Sequence, residues 1–471
     1  MSLIPFESRQ ATEARAAGGE SARAPRVVPG VAARFAGSRV AAGLAGLAIF
    51  IGALVFFRWG LATPSDVYFD ETWYVPAARA LLKNGEILRP EHPPLAKMLI
   101  EAGMALFGDN PIGWRTMSAL AGAVTLLAVF AWSCAMFRDT VQALFATAVT
   151  LCDGVLYVQS RIAMLDIFLM AFGALALAFF TFAFLERGSR RLALLHSILG
   201  GLCLGLATAC KLSGLFLWAG LIAVLLLIGL MRLWRVRFEE PRAEDFYLSP
   251  QWPAIGAGQA VVAYVAAPVL AYFLTYLPQI IRAGSVVEFF AAQRRMIDIM
   301  TGVSATHPYA SLWYTWPAMT RPVWALFQVV GGGAASAWSA QHPAQSIVGL
   351  ANPFVFYPGE IAILFCLWVW IARRDGAGMI VAVAFFAQYL PWAVNPKGLE
   401  FFYYYFPSIL CLGPALALVF FRSGTKPHYG LATGFLIVAA LAFAFYLPVY
   451  SAQFPVDPDG FAARIWFDGW R

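Results

Sequence analysis

The sequence predicts an all-α polytopic membrane protein, a bundle of about eleven transmembrane helices with two long external loops. Two observations carry that prediction. Of 471 residues, 61% are hydrophobic and only 13% charged, with a mean hydropathy of +0.69; a soluble domain carries about twice that share of charge. The hydrophobic residues also gather in nearly uncharged runs of about 18 or more, the length a helix needs to cross a bilayer.

Residues 1–36 are rich in Ala, Arg and Gly, lack an apolar face, and read as a cytoplasmic tail. No secretory signal with a cleavage site is evident. A membrane domain follows over residues 37–450. Its expected spans are Val40–Phe57, Trp114–Phe137, Val141–Val158, Ile162–Leu185, Leu192–Ala209, Leu212–Met231, Ala254–Leu277, Pro353–Ile371, Gly378–Val394, Phe401–Phe421 and Gly430–Tyr450. External loop 1 covers about 60–113 and external loop 2 about 278–352, and residues 451–471 form an external C-terminal tail.

The formal net charge of +7 does not indicate a nucleic-acid partner. Its excess sits in short loops beside spans: Arg138, then Arg187, Arg190 and Arg191, then Arg232, Arg235, Arg237 and Arg242, then Arg373 and Arg374, then Arg422 and Lys426. Basic residues so placed set orientation. They put the N-terminus in the cytoplasm and both long loops outside, in an inner membrane. The six cysteines fall in or beside apolar runs without CxxC or Cys/His spacing, so they read as small buried hydrophobes. No internal repeat of fixed period is evident, which weighs against a transporter built from inverted repeats.

Chemistry concentrates in external loop 1. Asp66-Val67-Tyr68-Phe69-Asp70-Glu71-Thr72-Trp73-Tyr74 places carboxylates just outside the first span, where they face water or a polar cavity. Taken alone, the Asp70–Glu71 pair fits a solvated helix start as well as a functional site. Residues Pro76–Lys83 can form a short amphipathic helix on the membrane surface. In Glu91-His92-Pro93-Pro94-Leu95-Ala96-Lys97 the prolines bias His92 away from helix, and a helix starting at Pro94 projects Lys97 one turn on. Arg115 opens the second span. Acids and bases tethered to one membrane face suit sugar transfer from a lipid phosphate. A base takes the acceptor proton, and cations stabilise the charge growing on the departing phosphate.

The runs "YFDETWY", "HPPLAK" and "WRTMSALAG", then "SRIAMLDIFL", "SATHPYASLWYTWP" with "RPVW", and "FFYYYFPSIL", resemble in order the protein O-mannosyltransferase family, within the GT-C membrane glycosyltransferases. The resemblance spans about residues 66–415. It implies a polyprenyl-phosphate-mannose donor, an exported protein acceptor modified on Ser or Thr, and inversion at the sugar. It also implies Asp70 as catalytic base, Glu71 as its supporting acid, and Arg115 near the donor phosphate. Lys97, Arg161, Arg321 and Lys397 are further candidates for that phosphate. His92 and Asp166 would shape the loop or contact substrate; a loop histidine held by the backbone, and an Asp166–Arg161 ion pair, fit the sequence equally. His307 and Tyr309 in loop 2 would meet sugar or acceptor, beside an aromatic belt.

The chain departs from the eukaryotic members, whose loop after span seven carries a folded module; here about thirty residues separate that span from His307, too few for a domain. This leaves acceptor recognition open. A related GT-C enzyme moving another lipid-linked sugar to a lipid or polysaccharide is one alternative, and a transporter or flippase another. No metal motif is present, although Asp70 and Glu71 have the oxygen ligands a divalent cation such as Mg or Mn takes.

Overall fold

A computed structural model describes residues 39–185, 189–238, 255–302, 307–330, 342–395, 399–422 and 427–470. Lys397, the tail 1–36 and the Gly331-Gly332-Gly333 triplet lie outside the described residues.

The chain is a helical membrane bundle, as its hydropathy predicts. Among the described residues eight helices are long and apolar enough to cross a membrane, and nine with one bent pair taken as a single span. This is fewer than the eleven expected, although each expected span is helical. One shortfall is the third, where an α-helix over Thr140–Leu151 stops and a short one resumes over Gly154–Gln159. Asp153 causes the break: its side chain accepts from Val155 N and caps the second piece. Asn352 bonds across this break, donating its amide to Cys152 O and Ala439 O. The sixth expected span is present as helix Gly214–Phe238, 25 residues long with an uncharged run from Gly214 to Met231. The tenth span bends by 41° between Phe402–Ile409 and Leu412–Arg422.

Spans pack where small residues permit close approach. Helix Arg190–Cys210 meets helix Ala257–Leu274 through Gly201 and Gly205, where a Cβ would collide with the Ala263 carbonyl and with Pro268. That partner contains a π-turn, Val262–Ala266, just ahead of Pro268, which has no N–H to donate.

External loop 1 is folded. Its first helix, Glu71–Asn84, starts earlier than Pro76 and carries that proline inside; the second, Leu95–Phe107, begins after Pro94 as the sequence predicts. Arg79 donates to Asp109, which also accepts from Trp114 Nε1 at 2.7 Å, fastening the first helix to the foot of span Pro111–Phe137.

Loop 2 holds helices Leu277–Ala283 and Val287–Thr301, a 3-10 turn Trp313–Ala318, and an antiparallel hairpin of β1 (Val323–Val329) and β2 (Ala344–Gly349). The C-terminal tail is built onto that hairpin. Val456 bridges Ala344, and Trp470 is fully buried, donating Nε1 to Met319 O while its carbonyl accepts from Trp324 Nε1.

Candidate active site

The site forms where loop 1, the junctions between spans and the Tyr-rich segment meet. Asp70 stands at the N-cap of helix Glu71–Asn84, yet its side chain makes no capping bond, and its carboxylate accepts no hydrogen bond among the described residues. Phe69 before it has φ +48°, a left-handed conformation a bulky residue rarely adopts. Such strain costs about 1–3 kcal/mol and collects at functional sites. Thr72 Oγ1 donates to Phe69 O at 2.7 Å, and the Phe69 ring meets Tyr403 edge-on at 5.9 Å, so both sides hold this turn.

Burial pushes the Asp70 carboxyl up to about 6. The Lys211 ammonium pulls it down and the Asp166 carboxylate pushes it up, so these three charges share one neighbourhood. Lys211 lies at the turn between helices Arg190–Cys210 and Gly214–Phe238, and its Nζ donates to Asp166 Oδ1 at 2.7 Å. The same ammonium sits over the rings of Tyr403 (5.2 Å) and Tyr404 (4.7 Å). Tyr74 completes the group: burial raises its phenol well above 10, with Asp70 and Asp166 adding to the rise.

The other cations of this face are committed elsewhere. Arg115 and Glu71 are both fully buried and joined by two bonds, Nε to Oε1 and Nη2 to Oε2, each 2.8 Å. Arg115 also donates to the carbonyls of Leu61, Pro64 and Asp66, so all five guanidinium N–H groups are satisfied by protein. Glu71 further accepts from Ala163 N at 2.9 Å and Tyr68 N at 3.4 Å. Lys97 spends its three N–H groups on Leu88, Arg89 and His92 carbonyls, and burial lowers its pKa to about 8. Arg161 donates to the carbonyls of Phe57, Trp59 and Gly60, at the end of helix Arg39–Arg58. These geometries differ from a row of phosphate-facing cations. Unpaired carbonyls at helix ends and in the loop claim the donors instead. The Arg161–Asp166 pair does not form, because Asp166 bonds to Lys211.

His92 lies edge-on to Tyr74 at 6.2 Å, one ring away from Asp70's neighbourhood. From loop 2, His307 packs on Phe401 at 5.2 Å, and Phe401 stacks on Tyr403 at 5.3 Å, so His307 reaches the edge of the same aromatic cluster. Tyr309 N donates to His307 Nδ1 at 3.1 Å. Arg321 is exposed and donates weakly to Ala310 O at 3.4 Å; no contact brings it to Asp70. Glu400, which sequence reasoning passed over, accepts from Trp313 N and Asn395 Nδ2 and so ties loop 2 to the Tyr-rich segment. Lys211 was missed as a site residue too. Its signal was visible, since a lone lysine between two apolar spans marks function by default.

No three of His, Cys, Asp and Glu gather as a metal-binding set among the described residues. The pairing of Asp70 with Glu71 around a divalent cation does not fit, because both Glu71 oxygens are occupied by Arg115 and backbone N–H groups.

A family model described as dolichyl-phosphate-mannose-protein mannosyltransferase matches residues 107–280, and one for the C-terminal four-TMM region of protein-O-mannosyltransferase matches residues 285–470. The chain belongs to the protein O-mannosyltransferase family. The polyprenol-phosphate-mannose–protein mannosyltransferase of Mycolicibacterium smegmatis is 25% identical, covering 87% of this chain and 89% of its own. The protein of that name from Mycobacterium tuberculosis is 28% identical, with 86% of each covered. The S. cerevisiae protein O-mannosyltransferase Pmt1-Pmt2 complex, bound to the sugar donor, has the same fold: TM-score 0.72 at 13% identity, covering 91% of this chain and 92% of that one. This mannosyltransferase-family member is therefore a multi-pass membrane glycosyltransferase of GT-C fold, and the transporter reading drops out.

Proposed function

We propose that this enzyme transfers mannose from polyprenyl-phosphate-mannose to Ser or Thr hydroxyls of exported proteins, with inversion at the anomeric carbon. The observation that carries this reading is the isolation of Asp70: a half-buried carboxylate that accepts no hydrogen bond among the described residues, next to a lysine, on a face whose other cations are consumed.

The Asp70 carboxylate takes the proton of the acceptor hydroxyl. The oxygen attacks C1 of mannose from the face opposite the phosphate. The C1–O bond to phosphate breaks, and its electron pair leaves with polyprenyl phosphate. One base and one displacement suffice, so the sugar inverts. Lys211 is the cation placed to stabilise the departing phosphate, and the buried Tyr74, Tyr403 and Tyr404 wall the space around it. Glu71, Arg115, Lys97 and Arg161 act as positioning residues that hold the loop carrying Asp70. His307 and Tyr309 flank the acceptor side, with Arg321 and Lys397 as outlying phosphate candidates. No step is routed through a metal.

The orientation that serves this reaction has the N-terminus in the cytoplasm and the site and C-terminus outside an inner membrane, where basic short loops direct it. The test uses the purified chain in nanodiscs with labelled polyprenyl-phosphate-mannose and a Ser/Thr peptide. Formation of a mannosyl peptide whose anomeric configuration is opposite to the donor's supports the proposal. Transfer only to a lipid or glycan fraction, or only from another sugar donor, would move the enzyme to the alternative GT-C activity.

A further inference from the structure

The helix pair of loop 2 bears an apolar stripe that the protein does not cover. The pair behaves as one unit: Gln279 donates to Glu288 Oε1 at 2.8 Å, and Arg295 pairs with that same carboxylate. In helix Val287–Thr301 the inward side is Ala292 and Met296, with Phe289 packed on Tyr272, Phe273 and Tyr276. Beside that side runs a second stripe, Val286, Phe290 and Ile297, spaced four and then seven residues, one row of a helix. Phe290 is 65% exposed and Ile297 53%; Ile281, from the preceding helix, is 75% exposed. The remaining arc carries most of the polar side chains, with Arg294 paired to Asp298 at 3.1 Å and the exposed Val287 and Ile299 interspersed.

Two placements fix where this stripe points. The pair follows span Ala257–Leu274 after only Thr275 and Tyr276, so it starts at the membrane boundary. The Arg282 guanidinium lies against Gly85, so the pair shares a membrane face with the loop 1 helix that begins beside Asp70.

We infer that helices Leu277–Ala283 and Val287–Thr301 lie in the interfacial zone of the bilayer leaflet on the active-site side, with Ile281, Val286, Phe290 and Ile297 in the acyl region. The occupant of the stripe is phospholipid. Its attachment is apolar rather than electrostatic, because Arg294 and Arg295 are already paired with Asp298 and Glu288, and Arg282 is turned against Gly85 of loop 1. Loop 2 is thereby anchored to lipid ahead of His307.

The test places an environment-sensitive fluorophore on single cysteines at Phe290→Cys, Ile297→Cys and, on the polar arc, Asp298→Cys. The full chain is held in phosphatidylcholine nanodiscs, with the unsubstituted chain giving the background from native cysteines. Labels at 290 and 297 should emit to the blue and be quenched by brominated acyl chains, while the label at 298 stays water-like. Raising the salt, or adding phosphatidylglycerol, should leave quenching unchanged. Water-like emission at 290 and 297 would overturn the inference. So would blue emission without lipid quenching, which would mean that protein covers the stripe, and so would quenching that requires anionic lipid. All three positions are exposed, so a monodisperse gel-filtration peak is expected for each and qualifies it for the measurement.

Discussion

Arg115 grips Glu71, 44 residues earlier in the chain, through a fully buried pair of parallel 2.8 Å bonds, and hangs the carbonyls of Leu61, Pro64 and Asp66 on its remaining N–H groups. One guanidinium thus ties the end of span one, the turn ahead of Asp70 and the start of span two into one rigid piece. Glu71 extends the tie to Ala163, between spans three and four.

Removing one partner of such a pair leaves a buried charge unsatisfied, which costs roughly 3–5 kcal/mol. Arg115→Ala should therefore lower the thermal midpoint in detergent and the yield of folded protein. Arg115→Lys should rescue poorly, since a lysine cannot make the two-pronged contact. Arg115→Met combined with Glu71→Gln should be more stable than Arg115→Ala alone. A stable Arg115→Ala enzyme with a raised donor KM would instead put Arg115 on the phosphate.

Lys211 should carry the donor effect. Lys211→Met together with Asp166→Asn removes both charges at once and avoids stranding the Asp166 carboxylate. A charge-assisted contact to phosphate contributes about 1.5–3 kcal/mol, so donor KM should rise roughly tenfold or more with the fold intact. Lys211→Arg, which keeps the charge, should recover part of the affinity. Unchanged donor saturation in the double variant would remove Lys211 from the site.

Hydropathy made the spans legible, because lipid demands long apolar helices and nothing else in a chain looks like them. It does not show that Asp153 breaks the third helical run in two. A single buried cap, held across the fold by Asn352, leaves no mark on hydropathy. In the site, the sequence brings Asp70, Glu71, Lys97 and Arg115 to one face but cannot show what consumes each donor. The acceptors are main-chain carbonyls, at Leu61, Leu88 or Phe57, and every residue has one. Lys211 and Asp166 meet from residues 45 apart, a pairing set only by how helices Asp166–Leu185 and Arg190–Cys210 pack. Hairpin β1–β2 lay hidden in a loop whose apolar alternation is short, and the Trp470 anchor lay in what reads as a tail.

Topology is open to a direct check. Ser189 and Asp459 are both exposed and lie in the loop after helix Asp166–Leu185 and in helix Pro458–Arg464. Single cysteines there, treated with a membrane-impermeant maleimide on intact cells, should label at 459 and stay protected at 189 until the membrane is opened. The reverse pattern would put Asp70 on the cytoplasmic face, away from exported acceptors.

The pH profile tests Asp70 most directly. Its carboxyl titrates near 6 because burial disfavours the charged form. A general base works only when deprotonated, so kcat/KM should fall as pH drops through about 6 and level off above it. Asp70→Asn keeps the size and removes the base, and should cut transfer by roughly 10²–10⁴-fold at neutral pH. Whatever activity remains should lose the acidic limb, a change that a merely structural lesion would not produce. Donor binding should survive, because the asparagine leaves Lys211 and the tyrosines in place. Asp70→Glu retains a carboxylate and should recover part of the rate together with a displaced limb. If Asp70→Asn kept near-normal transfer with the same limb, the base would have to be sought elsewhere, beginning with Asp166, the second acid held against Lys211.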